Sequence, residues 1–203
     1  MELQHVNVKL YLQDPQAVKL EALVPVFHGW IQGKVCEELM IDVADYRHVH
    51  AGPGVVLVGH QADYSVDNTD NRLGIRYNRK ATLEGTNRDR FSQALRATLR
   101  ACQRLEADEK LRGYLRFNRQ DMKLFVNDRM LAPNTERLTN SVQGELRDFF
   151  GSVVGDGEFE MKFDCNPRSL FGVEIMLSPY KLCEYKLRKL VTCLENLTNG
   201  TNS

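Results

Sequence analysis

The chain has 203 residues, 42% of them hydrophobic and 27% charged, with 27 basic and 27 acidic side chains. Such proportions belong to an ordinary globular domain, large enough to bury a core without disulfides or a structural metal, and they exclude a disordered chain, a collagen and a coiled-coil rod. Zero net charge also argues against a surface built throughout for nucleic acid or membrane.

At the start of the chain Val6, Val8, Leu10 and Leu12 alternate with Asn7, Lys9 and Tyr11, the pattern of a half-buried strand. Asp14-Pro15 reads as a helix start, and Leu20, Leu23, Val24, Phe27, Trp30 and Ile31 then recur at helical spacing. Pro25 lies inside that stripe and predicts a kink near mid-helix, with Gly33 as the stop. Short β-prone runs follow at 39–43, 54–59, 64–67 and 73–78, separated by turn-rich pieces such as Gly52-Pro53-Gly54. Connections this short predict an antiparallel meander. A long helix is expected over 88–107, burying Phe91, Leu95, Thr98, Cys102 and Leu105. Residues 114–117 and 123–126 read as a hairpin closed across Asn118-Arg119-Gln120-Asp121.

A third helix is expected from Asn140, with Val142, Leu146, Phe149 and Phe150 on its buried face and Gly151 ending it. Residues 158–163 and 172–177 read as a further strand pair. A last helix is expected over 181–197, with Cys183, Leu187, Leu190, Val191 and Leu194 on one side, ahead of a frayed polar tail at 198–203. Two helix–strand–strand units result, 88–127 and 140–177. The expected fold is α+β: a mainly antiparallel sheet with about four helices packed mostly on one face, as one compact domain over 1–197.

The first five residues have neither the basic nor the apolar region of a secretory signal. The longest apolar run, Val55-Val56-Leu57-Val58, is far short of the ~20 residues a membrane helix needs. Five scattered cysteines include no C-x-x-C pair. The expectation is a soluble, cytoplasmic protein with no membrane partner.

No sequence motif defines an activity, and the reading leaves open whether the protein is an enzyme. The densest polar cluster runs from Asp42 to His50. In a strand, His48 and His50 would face the same way and could present two imidazoles to one metal. His60 and Asp63 lie at the far end of the next strand, and no glutamate follows at the spacing of a His-x-His metal site. Solvated surface histidines explain the loop as well, so a divalent metal is a candidate cofactor that the sequence does not favour. Gly52-Pro53-Gly54 precedes a strand rather than a helix, which suits a tight turn and not a phosphate loop.

Charge is unevenly spread: 14 basic and 6 acidic residues lie between Arg72 and Lys123, against 4 basic and 10 acidic in the first 71 residues. Arg96, Arg100 and Arg104 are four apart and line one helix ridge, a candidate anion site. No aromatic platform interleaves with them, so nucleic acid is not favoured. Solvation, or pairing with the acidic N-terminal third within the chain or across a dimer, is the competing explanation. Asp128 and Arg129 directly follow an apolar strand, where polar residues either line a site or make a turn. No nucleophile elbow is present, and nothing supports nucleophilic catalysis. The leading reading is therefore a domain that binds a small molecule or anion near the His48/His50 loop, with His48, His50, His60, Arg76, Asp128 and Arg129 as candidate ligand residues. The alternatives are an RNA- or nucleotide-phosphate binder using the arginine ridge, and a non-catalytic protein that self-associates as a homo-oligomer.

Overall fold

A computed structural model describes residues 1–178 together with Thr192. Apart from Thr192, the helix expected over 181–197 and the tail at 198–203 lie outside the described residues. The described chain is mixed α+β and dominated by its sheet. In chain order the elements are β1 (Val6–Leu12), α1 (Leu23–Gln32), β2 (Met40–Tyr46), β3 (Gly54–Gly59), β4 (Ala62–Asp67), β5 (Gly74–Arg79), α2 (Asn87–Ala107), β6 (Phe117–Val126), α3 (Glu136–Val154), β7 (Phe159–Phe163) and β8 (Gly172–Leu177). Among the described residues there are three α-helices, where the sequence predicted about four over the whole chain. No helix among them is long and apolar enough to cross a membrane.

All eight strands join one antiparallel sheet in the order β2-β3-β4-β5-β1-β6-β8-β7. The expected meander is β2 to β5, where short turns allow only neighbouring strands to pair. Gly54 opens β3 at φ 64°, a conformation that resists any Cβ, and the residue is packed against the Val66 carbonyl. The turn reading of Gly52-Pro53-Gly54 therefore agrees with the geometry.

Register assigns the two faces. Val8 opposes Tyr77 and Leu124, and Leu10 opposes Ile75 and Met122. Tyr64 opposes Tyr77, and Ile175 opposes Met122 and Met161. These residues share one face because side chains alternate along a strand. Each helix reaches the sheet there. The Trp30 ring of α1 lies 6.3 Å from that of Tyr64, Gln93 of α2 donates to the Tyr77 hydroxyl at 2.7 Å, and the Phe150 ring of α3 lies 5.8 Å from that of Phe159. The five residues expected on the buried stripe of α2 are all buried.

Four expectations change. First, β1 is buried on both faces rather than half-buried, because it sits inside the sheet between β5 and β6. Second, Asp14 makes a local turn by accepting from the Gln16 amide, and α1 begins only at Leu23. Pro25 is then in the first turn, where its missing N–H breaks no helical hydrogen bond, so the expected mid-helix kink loses its cause. Third, the predicted hairpin is a single strand, β6. Its polar middle runs on because β1 pairs along one side and β8 along the other, and a register shift between Leu10 and Leu12 absorbs the irregularity. Only the second of the two expected helix–strand–strand units is present. Fourth, α3 starts at Glu136, capped by the Thr135 side chain. It runs past Gly151 to Val154 and closes at Gly155, which has φ 107°.

Candidate functional site

The second face of the sheet carries the polar halves of the alternating strands. Lys9 on β1 lies opposite Arg76 on β5 and Lys123 on β6. Ser65 lies beyond Arg76, and Glu174 beyond Lys123. Three cations thus stand side by side across the centre of the sheet, an arrangement that needs counter-charge to persist.

Asp67, fully buried at the end of β4, supplies most of it. It is ion-paired with the Lys9 ammonium, accepts from the Thr69 amide at 3.1 Å and from the Ser65 hydroxyl at 3.4 Å, and lies 3.7 Å from Arg76. Lys9 also donates to the Thr69 carbonyl at 3.1 Å. Burial pulls the Lys9 pKa below its ordinary value, against the opposing pull of Asp67. Lys123 pairs with Asp70 at 3.3 Å, a loop residue held at φ 62°. Beside this group the Arg72 guanidinium lies 3.4 Å above the Tyr11 ring, and Tyr11 donates to Glu174 at 2.9 Å.

Arg76 differs from its neighbours. Its guanidinium lies 4.9 Å from the centre of the Phe125 ring, its Nε is buried without a partner, and its side chain makes no hydrogen bond to any described residue. Nearby on the same face, the Oδ1 of fully buried Asn7 is also unpaired. Arg76 helps line a cavity of about 200 Å³ between the loop after β4 and the loop joining β7 to β8, with Lys9, Lys123, Phe125, Asp164 and Leu170 among its walls. A larger cavity of about 540 Å³ opens near the start of α2. There Arg90 is already tied to Glu2, Asn87 and the Leu83 carbonyl, so its donors are engaged within the chain.

Among the residues singled out from sequence, only Arg76 lies in the smaller cavity. His48 and His50 are exposed in the turn between β2 and β3, so strand alternation does not align them. His60 is exposed at the other end of β3, roughly 20 Å away at about 3.3 Å per residue. No group of three or more potential metal-ligating residues exists among the described residues. Asp128 closes a turn by accepting from the Met130 and Leu131 amides and lies 3.9 Å from His5; Arg129 is exposed. On the α2 ridge, Arg96 and Arg100 both pair with Glu37 of the acidic N-terminal third, while Arg104 is exposed.

Sequence reasoning missed Lys9, Asp67, Lys123, Phe125 and Asp164. The polar half of the β1 alternation and the Asp-rich turn after β4 were visible separately; their meeting depends on register between distant strands. Three other reactive-looking groups are structural. Glu38 on the helix-bearing face accepts from Tyr64 at 3.0 Å and Tyr77 at 2.7 Å. Burial pushes the Cys36 thiol up to about 12 and Cys102 well above its ordinary value, so neither is a ready nucleophile. No protein-family model matches the sequence, and no curated protein matches it significantly.

Proposed function

We propose that this chain binds a small anionic ligand, a carboxylate or a phosphate, in the cavity on the polar face of the sheet, with Arg76 as the residue that holds it. The three described α-helices stand on the other face. The carrying observation is the Arg76 guanidinium, oriented by Phe125 and buried Asp67 yet hydrogen-bonded to no described residue. Its planar fork of donors suits a bidentate oxyanion, and charge-assisted bonds of that kind are stronger than neutral ones. The surrounding Lys9–Asp67 and Lys123–Asp70 pairs fix the walls.

Calorimetric titration with propionate and inorganic phosphate tests this reading. The native protein should bind at least one of them. Arg76→Met should weaken binding at least about tenfold, and Arg76→Lys should recover it only in part, because an ammonium cannot reproduce the fork. Absence of binding by the native protein, or an unchanged affinity in Arg76→Met, would overturn it.

A further inference from the structure

Resting on that reading, we infer that the ligand is a small zwitterion of the amino-acid type, its carboxylate on Arg76 and its ammonium on Asp164. The cavity wall is electrically balanced: Lys9, Arg76 and Lys123 face Asp67, Asp70 and Asp164. A wall that carries both signs complements a ligand that carries both. Five of these six are in ion pairs: Asp67 with Lys9 and, at 3.7 Å, with Arg76, and Lys123 with Asp70. Among the described residues the Arg76 side chain still makes no hydrogen bond, and Asp164 makes no ion pair. Asp164 accepts the Asn166 amide at 2.8 Å through Oδ1 and pairs with no cation among the described residues.

The two lie on different walls. Arg76 projects from β5 and stacks on Phe125 of β6. Asp164 follows β7, its amide donating to the Gly172 carbonyl at 3.0 Å. Between them Phe125 and Gly172 are register partners. A Cβ on Gly172 would come within 3.2 Å of the Phe125 Cβ, so glycine keeps the floor between the two charges low. Phe125 and Leu170 give an apolar wall for a short side chain. At about 200 Å³ the space is below the ~300–1,000 Å³ of drug-sized pockets, which restricts the ligand to a few heavy atoms.

The test is calorimetry with glycine, alanine and serine against their nitrogen-free counterparts acetate, propionate and 3-hydroxypropionate, on the native chain and two variants. At least one amino acid should bind at least about tenfold more tightly than its matched carboxylate. Asp164→Asn keeps the Oδ1 acceptor for the Asn166 amide and should bring that amino acid down to the affinity of its carboxylate, whose own binding stays unchanged. Arg76→Met should weaken both. Equal binding of amino acids and carboxylates, or no effect of Asp164→Asn, overturns the zwitterion and leaves the anion reading standing. No binding of either class overturns both.

Discussion

Asp67 holds the polar face together. Completely buried, it neutralises Lys9 and faces Arg76 while tying down the loop that follows it. Replacing one partner of a buried ion pair strands the other charge, whereas replacing both removes the desolvation penalty along with the attraction. Asp67→Asn should therefore destabilise the protein by about 3–5 kcal/mol, and Lys9→Met/Asp67→Leu by less than the single change. Urea unfolding measures both, and a double variant that loses as much as or more than the single one would contradict this account. The half of the pair on β1 was partly legible, since alternation assigns Lys9 to the polar side. Alternation does not say that this side lies inside the molecule, nor that Lys9 meets Arg76. Those facts come from tertiary pairing.

Among the elements, α2 was the most legible because its signal is local. A buried stripe at helical spacing follows Thr86, whose side chain forms a reciprocal capping box with Asp89. Hydrogen bonds from Thr86 pull the Asp89 carboxyl below its usual range, so this support is present above ordinary carboxylate pKa values and is lost as pH falls through the lowered one. Leu95, 2% exposed, should cost about 2–5 kcal/mol as Leu95→Ala, and Thr86→Ala should cost about 0.5–2 kcal/mol. Chemical denaturation at neutral pH compares them. Losses under about 0.5 kcal/mol, the usual range for surface changes, would refute the assigned burial and cap. Strand β6 was read as a hairpin because Asn118 to Asp121 carry turn chemistry. Pairing on both sides overrides local preference, which is weak for strands. The start of α1 failed for the opposite reason: Asp14-Pro15 is a sound local signal, but Asp14 uses its carboxylate in a turn.

At the scale of the molecule, three buried phenols set the alkaline limit. Burial, reinforced by Glu174 beside Tyr11 and by Glu38 beside Tyr64 and Tyr77, raises all three pKa values. The unfolded chain ionises its tyrosines near about pH 10 while the folded one keeps these protonated, so their stabilising effect is full below about 10 and lost as pH rises beyond it. Stepwise alkaline titration should show tyrosinate from the buried three appearing together with unfolding. Ionisation of all of them near pH 10 in a still-folded protein would refute this. The strand order has a separate consequence. Among the described residues the sheet consists of two blocks, β2 to β5 and β6-β8-β7, joined through β1. The first block and the β7–β8 pair join strands consecutive in the chain, β6 meets β8 across α3 and β7, and the two pairings of β1 close still longer loops. A chain with β1 undocked would present two raw edges, β5 and β6, to any neighbouring molecule. It would also have no cavity, since Lys9 belongs to the missing strand and Arg76 would be separated from Phe125. Keystone and cavity are thus one structure, and a ligand of the kind proposed would act as a clasp on the seam, favouring the closed sheet by mass action.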